Sequence, residues 1–367
     1  MGAVQYLEIV AGLVVLLVIM HDLFQAVVLP RPSVYRLPLA SQLLVRQSWK
    51  VWRWVGRYRR NVAKREHFLG TFGPAALLIL LAFWSLSLMA GYALIFDGLH
   101  DQIEPHTDGF WTSLYYSAGT LLPLSYGDIL PVGGGARVAT IAESASGVIL
   151  VALVISLLFS LYQSFQSREE LVVTLDALAG APPSGVQMLE TAAADRMPNR
   201  LEATFDEWRN WAASVLESHL AYPILFYFRS SHDNEAWINS FGAVMDAATL
   251  VLSVTEHDSA GAARLMSKIG DHLVEDALWY FRIRSGDEVG VERKEFEEAW
   301  GRLREAGYLC RDPEPVRAEF SNLRRRYAST LDQMVRWLAI APAPWIGDRS
   351  YLPHQASSPR RGPAAPR

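Results

Sequence analysis

The chain has 367 residues, enough for two or three structural units, and 51% of them are hydrophobic, a high share for a wholly soluble protein. The formal net charge of −4 gives no support for a nucleic-acid partner. The single cysteine, Cys310, cannot form an intrachain disulfide, which excludes a disulfide scaffold and fits a cytosolic location for that part of the chain.

The hydrophobic residues are concentrated in the first half of the chain. Before Arg168 the sequence has 11 Lys and Arg against 9 Asp and Glu, and the remainder has 23 against 29. We therefore expect an N-terminal membrane part followed by a soluble, mildly acidic and helical part.

The first apolar segment, residues 4–29, is long enough to cross a bilayer as a helix. No basic residue precedes it and no small-residue cleavage site follows it, so we expect residues 1–30 to form a transmembrane helix rather than a signal peptide. Glu8 and Asp22 lie within ~40° of each other on such a helix, which indicates a face turned toward protein. His21 and Asp22 are candidates for a functional role, and capping at the interface is the alternative.

Residues 31–73 form a basic segment with ten Lys and Arg and one acidic residue. Four aromatic residues are interleaved with these charges: Trp49, Trp52, Trp54 and Tyr58. The pattern predicts a helical segment at a membrane surface, with anionic lipid bound at residues 46–65. By the positive-inside rule this segment is cytosolic. Nucleic-acid binding is the alternative, and the position between two apolar spans disfavours it.

The second span, residues 74–96, contains no charged residue. The loop at 97–136 has no Lys or Arg but five Asp and Glu, so we expect the second span to run outward and the loop to concentrate cations at an external mouth. A third span, residues 138–162, returns to the cytosol. The N-terminus is then outside and the soluble part inside, in a cell membrane that we expect to be a bacterial inner membrane.

A short apolar and aromatic piece, residues 110–122, lies inside this outward loop. At ~1.5 Å per residue it cannot cross a bilayer, so we expect a re-entrant half-helix followed by extended backbone. Backbone of that kind is stable at membrane depth only where it is buried in protein or lines water. Six residues follow as a motif: Pro123, Leu124, Ser125, Tyr126, Gly127 and Asp128.

This motif resembles the filter of the prokaryotic potassium-channel pore family, which reads Thr-Val-Gly-Tyr-Gly and is usually followed by Asp. Pro123 stands where the family has Thr and Ser125 where it has the first Gly, while the other four positions match directly or conservatively. The resemblance covers about residues 74–166. It includes Arg137 at the head of the third span and Gly147, where many members of the family have a hinge glycine.

The resemblance implies an all-α membrane protein with three transmembrane helices, a re-entrant pore helix and a filter, followed by an all-α cytosolic domain. It implies a homotetramer, because the family builds one filter from four loops. Permeant K⁺ would bind to the backbone carbonyls of Leu124, Ser125 and Tyr126, and no other cofactor is implied. Pro123 lacks both a backbone NH and the hydroxyl of Thr, so we expect an altered inner site and weaker K⁺ selectivity.

Three residues are predicted to support the filter: Tyr115, Thr120 and Glu143. Tyr115 stands where the family often has a Trp whose ring nitrogen binds the filter Asp, so a hydrogen bond from Tyr115 to Asp128 is expected. Glu143 is expected to brace the back of the pore loop or to form hydrogen bonds between subunits, rather than to bind ions.

The third span offers candidates for a hinge and a gate. Gly147 is the hinge candidate, and four residues below it recur at helical spacing: Val148, Val151, Ile155 and Phe159. If they line the cavity, an apolar ring such as Phe159 can close the pore by dewetting. The alternative is that these residues pack against the outer helix, which is the second span at residues 74–96.

For the soluble part we predict a linker at 167–199, a domain of five or six helices at 200–340 and a disordered tail at 341–367. No nucleotide-binding glycine motif is visible. Several polar residues are candidates for binding a regulatory ligand or metal, with helix capping as the simpler interpretation: His219, Tyr222, His232, Asp233, Asn234, His257, Asp258, Asp271 and His272.

The leading hypothesis is therefore a channel that conducts K⁺ passively and is assembled or gated by its soluble domain, and not an enzyme. A non-conducting membrane sensor or scaffold with a degenerate filter is the alternative, motivated by Pro123 and Ser125. An enzyme anchored in the membrane is a third interpretation, which rests on the polar residues of the soluble part alone.

Overall fold

The computed structural model describes residues 2–29, 40–106, 109–124, 126–194, 199–230, 236–281, 290–343 and 345–346. The predicted all-α class is confirmed, because helices dominate these residues. They are α1 (Ala3–Leu23), α2 (Ala40–Arg57), α3 (Val62–Gly70), α4 (Phe72–Gly98), α5 (Phe110–Leu121), α6 (Gly134–Ala179), α7 (Gly185–Ala194), α8 (Arg200–Ala221), α9 (Trp237–Ser253), α10 (Ala260–Phe281), α11 (Arg293–Glu305) and α12 (Pro313–Leu338).

Three helical stretches are long and apolar enough to cross a membrane: Ala3–Val28, Val62–Gly98 and Gly134–Ala179. Shorter elements connect the helices: a π-helical turn at Phe24–Val28, 3₁₀ turns at His100–Gln102 and Pro223–Tyr227, and two strands, β1 (Ile103–Glu104) and β2 (Leu130–Pro131). The strands pair antiparallel, with Ile103 opposite Pro131.

The described residues belong to two compact units. The first comprises Met1–Gln163 with His219–Phe228, and the second comprises Ser164–Ser218 with Arg229–Arg367. Part of the predicted basic segment (residues 31–39) and most of the predicted tail (344 and 347–367) lie outside the described residues.

In the first unit, α1 packs closely along α4. A Cβ on Gly91 would lie 2.8 Å from Cδ2 of Leu16, and a Cβ on Gly98 would lie 2.7 Å from the carbonyl oxygen of Gln5. Small residues let two apolar helices approach to backbone distance, which is how helices associate where the hydrophobic effect is absent. The added first helix is thereby fixed to the second span.

The basic segment does not present all its aromatic residues to the outside. Trp49 is buried against Phe72, with ring centroids 5.0 Å apart, and Trp52 stacks on Phe68 at 4.9 Å. Trp54 is exposed, as are several of the basic residues. The sequence pattern did not separate aromatic residues that anchor α2 to α3 and α4 from those on the surface.

In the second unit, α9 forms the centre of the core and α7, α10 and α12 pack around it. One face of α9 recurs at helical spacing and is buried throughout: Trp237, Phe241, Val244, Met245, Ala248 and Val251. Buried ion pairs in the same unit include Arg302 with Glu190, and Arg324 forms a partly buried pair with Asp246. Much of the segment predicted as a linker is helical, since α6 continues to Ala179 and α7 follows.

Candidate ion pore

The re-entrant half-helix is α5, which has 12 residues. Its buried positions, Ser113, Tyr116, Ser117 and Leu121, recur at helical spacing. Tyr116 packs edge-on against Phe96 of α4, with centroids 4.7 Å apart, and its hydroxyl lies 2.8 Å from Oγ1 of Thr140 on α6. One face of the half-helix is therefore fixed between the second and third spans.

The filter segment turns away from the end of α5. The backbone NH of Leu124 donates to the carbonyl oxygen of Gly119 at 2.9 Å. Gly127 adopts φ +74°, a left-handed conformation that favours glycine. Pro123, Leu124, Tyr126 and Asp128 are exposed within the single chain. Ser125 lies outside the described residues.

Tyr115 is tied to the filter by two contacts. Its hydroxyl donates to Oδ2 of Asp128 at 2.9 Å, so the expected hydrogen bond is confirmed. Its ring is nearly parallel to that of Tyr126, with centroids 6.3 Å apart. Through Tyr115, α5 thus contacts Tyr126 and Asp128, the residues directly before and after Gly127.

Glu143 of α6 is buried behind the half-helix and accepts a hydrogen bond from the hydroxyl of Ser117. The same hydroxyl lies 2.9 Å from the carbonyl oxygen of Met89 on α4. Oε2 of Glu143 has no hydrogen-bond partner among the described residues. The contact to Ser117 is within one chain, as expected for a brace behind the pore loop.

Helix α6 contacts the end of α5 at Gly147. A Cβ at this position would collide with the carbonyl oxygen of Leu121. Three residues before Gly147, the hydroxyl of Ser144 lies 3.5 Å from the carbonyl oxygen of Thr120, and the hydroxyl of Thr120 donates to Tyr116 at 3.0 Å. Gly147 is thus a point of close backbone contact, in addition to its predicted place as a hinge.

The four residues predicted to line the cavity are exposed within the single chain. The exposed fractions are 64% for Val148, 55% for Val151, 50% for Ile155 and 71% for Phe159. Packing against the outer helix, the alternative considered for them, would bury these side chains. This face of α6 is therefore free to contact a lumen, another subunit or lipid.

Two residues that the sequence patterns did not indicate, Ile129 and Gln102, hold the chain that follows the predicted filter. Ile129, directly after Asp128, is buried in a cluster with Tyr92, Phe96 and Ile103. Gln102 accepts hydrogen bonds from the NH groups of residues 135 and 136 through Oε1. A signal existed for this contact, because the Gly133–Gly135 start of α6 lacks a Ser, Thr, Asp or Asn cap and needs an acceptor from elsewhere.

Asp22, singled out on the first span, is buried where α1, α2 and α4 meet. Its Oδ1 accepts from the backbone NH and the hydroxyl of Ser41, both at 3.2 Å, and its Oδ2 accepts from Nε1 of Trp84 at 2.9 Å. These three hydrogen bonds join α1 to α2 and α4. His21 is exposed and lies beside Gln25, and Glu8 is half-buried.

The polar residues considered in the soluble part do not gather into a metal site within the described residues. His219 is buried against Phe226, and Nδ1 of His257 lies 2.8 Å from the hydroxyl of Ser259. Burial raises the pKa of Asp271, and its ion pair with Arg326 acts in the opposite direction. His232, Asp233 and Asn234 lie outside the described residues.

Comparison with known proteins bears on the segment that contains this site. Residues 78–164 match a family model described as "Ion channel", and these residues include most of α4, all of α5, the filter segment and the first two thirds of α6. An uncharacterized membrane protein of Bacillus subtilis (strain 168), YdjJ, is 22% identical over 203 residues, which cover 54% of this chain and 58% of that protein. The chain therefore spans less than two thirds of the length of this relative.

No solved structure matches the chain. The protein is thus a membrane protein with three apolar helices, and its residues 78–164 are similar to ion channels.

Proposed function

We propose that four copies of the chain form a channel through which K⁺ and related cations pass passively. The observation that carries this proposal is the geometry of the segment similar to ion channels: a half-helix between two spans, followed by a turn in which Tyr115 binds Asp128 across Gly127. An ion-conducting loop needs this combination of a fixed helix and a backbone that can point carbonyl groups at a cation.

The need for several copies follows from the surfaces of α5 and α6. The 12 residues of α5 extend ~18 Å, less than the ~30 Å of a hydrocarbon core, so its exposed end must be covered by protein or water. Large apolar side chains on both helices are exposed in the single chain, including Trp111 at 79% and Ile141 at 70%. Neighbouring subunits would bury them, and the family resemblance implies four.

In this assembly the carbonyl groups of Leu124, Ser125 and Tyr126 replace the water around a dehydrated cation. The left-handed Gly127 supports this role at the outer end. At the inner end Pro123 supplies no hydroxyl, so K⁺ is favoured over Na⁺ less strongly than in the family pattern.

The orientation that we propose places the N-terminus outside and the second unit in the cytosol of the cell. The loop between the second and third spans contains Asp and Glu but no Lys or Arg, whereas the basic segment between the first two spans exposes Lys50, Arg57, Arg59 and Lys64. These cations would contact anionic lipid headgroups.

The competing proposal is a non-conducting sensor or scaffold, and Pro123 and Ser125 favour it. A flux assay separates the two: the full-length protein is reconstituted in liposomes with a K⁺ gradient, and cation flux and the bi-ionic K⁺/Na⁺ reversal potential are measured. Gly127→Ala serves as the control for conduction through the filter, because an alanine held at positive φ is strained by about 1–2 kcal/mol.

We expect flux in the native protein and at least a tenfold loss in the Gly127→Ala variant. Flux that appears only after Pro123→Thr combined with Ser125→Gly would identify the native protein as the scaffold. Equal flux in the native and Gly127→Ala proteins would place conduction outside the filter.

A further inference from the structure

Three metal-ligating side chains converge in the loop that follows α4. The ligand atoms of His100, Asp101 and His106 all lie within 4.8 Å of one another. Nε2 of His100 is 3.5 Å from Oδ1 of Asp101, and the rings of His100 and His106 meet edge to face with centroids 4.9 Å apart. Among the described residues this is the only such group of His, Cys, Asp and Glu.

We propose that His100, Asp101 and His106 bind one transition-metal dication of the zinc class. Two imidazoles and a carboxylate are a ligand set that Zn²⁺ accepts, with water in the fourth position, whereas Mg²⁺ and Ca²⁺ prefer oxygen ligands alone. Tetrahedral Zn²⁺ with bonds of about 2.0–2.1 Å separates its ligand atoms by roughly 3.4 Å. The His100–Asp101 pair already has this spacing, and the ligand atom of the exposed His106, within 4.8 Å of the other two, needs to come closer by at most about 1.4 Å.

The surroundings of His100 prepare it for this role. Its Nδ1 lies 2.6 Å from the backbone carbonyl oxygen of Asp97, so Nδ1 bears the hydrogen and Nε2 presents its lone pair to the site. A histidine that ligates zinc through one nitrogen usually donates its other N–H to a carbonyl or carboxylate.

The carboxylate of Asp101 is held in a comparable way. Nε2 of Gln5, on α1, donates to Oδ2 of Asp101 at 3.0 Å, which leaves Oδ1 directed toward His100. Gln5 also lies 3.2 Å from Nε2 of His100, and a bound metal ion would replace that contact.

The position of the site in the loop gives metal binding a structural consequence. The ligands flank β1 on both sides, with His100 and Asp101 before it and His106 after it. Because β1 pairs with β2 directly downstream of the filter, the metal would fix the outer loop against the end of α1.

The test is Zn²⁺ binding to the full-length protein, purified without a histidine tag and titrated with ZnCl₂ by calorimetry. We expect the native protein to bind one more equivalent of Zn²⁺ than the His100→Ala/His106→Ala variant. Gln5→Ala should lower the affinity for that Zn²⁺ ion by about tenfold. His67→Asn, which removes an exposed histidine of α3, is the matched control and should change nothing.

Equal Zn²⁺ stoichiometry and affinity in the native and doubly substituted proteins would overturn the proposal, and so would competition by equimolar Mg²⁺. X-ray absorption of the zinc-loaded native protein gives an answer that does not depend on the folding of any variant. Two imidazole ligands and light oxygen scatterers are expected, and a sulfur ligand or an all-oxygen shell would contradict the site.

Discussion

The hydroxyl of Tyr115 donates a hydrogen bond to Oδ2 of Asp128 across the turn that contains Gly127. Because Tyr115 lies on α5, this bond fixes the position of Asp128, at the end of the predicted filter, relative to α5. The adjacent Ile129 is buried in the core, so the residues after the turn are held by one polar and one apolar contact.

Substitution of Tyr115 by Phe removes this hydrogen bond while keeping the ring beside Tyr126. The bond is exposed in the single chain, so we expect a moderate effect, about a twofold to fivefold fall in the K⁺/Na⁺ permeability ratio measured from bi-ionic reversal potentials. Tyr115→Trp returns a ring N–H donor and should preserve most of the ratio. Tyr6→Phe, on an exposed tyrosine of α1, is the control, and an equal effect in that variant would contradict the assignment.

The contact between Glu143 and Ser117 allows a test of whether Glu143 is structural. Glu143→Gln keeps an oxygen that accepts from Ser117, so flux should stay within about twofold and the reversal potential should not change. Glu143→Ala leaves a cavity behind the half-helix, while the hydroxyl of Ser117 keeps the carbonyl oxygen of Met89 as its acceptor, so we expect a cost of about 1–3 kcal/mol in thermal unfolding in detergent. A change of reversal potential in the Gln variant would instead show that Glu143 acts on the permeating ion.

Local patterns in the sequence predicted the helices and the segment that is similar to ion channels, because span length, charge asymmetry and turn residues are encoded over short stretches. The bond between Tyr115 and Asp128 could be predicted from one motif. The contact of Glu143 with Ser117, 26 residues away, could not be predicted, because no periodicity indicates that they meet. The same holds for the NH groups at the N-terminus of α6 that donate to Gln102, which lies at least 33 residues away. The burial of Trp49 could not be predicted either, because an aromatic residue among basic residues is typical both of a membrane-interface anchor and of a buried core position.

The buried carboxylate of Asp22 is expected to contribute strongly to the packing of the first helix. Asp22→Ala leaves the donors of Ser41 and Trp84 without their acceptor, with a predicted cost of about 2–4 kcal/mol in thermal unfolding. In a Trp84→Phe background the same substitution should cost about 1 kcal/mol less, because one donor is already absent. Glu8→Ala, on the same helix, is the control and should stay within about 0.5 kcal/mol. Additive losses in the double variant would show that the two side chains do not interact.

Gly147 of α6 could be required for either of two reasons: close packing against Leu121, or backbone flexibility at a hinge. If close packing decides, Gly147→Ala places a Cβ against the carbonyl oxygen of Leu121 and lowers stability by about 1–3 kcal/mol, with a smaller fraction of the assembled oligomer. Gly301→Ala in α11 has open space around the new Cβ and should instead stabilise the protein by about 0.5–1 kcal/mol, because glycine weakens a helix interior. Thermal unfolding and size-exclusion chromatography measure both effects. A Gly147→Ala protein of unchanged stability and assembly, but altered open probability, would show that backbone flexibility, and not the contact with Leu121, is what this position requires.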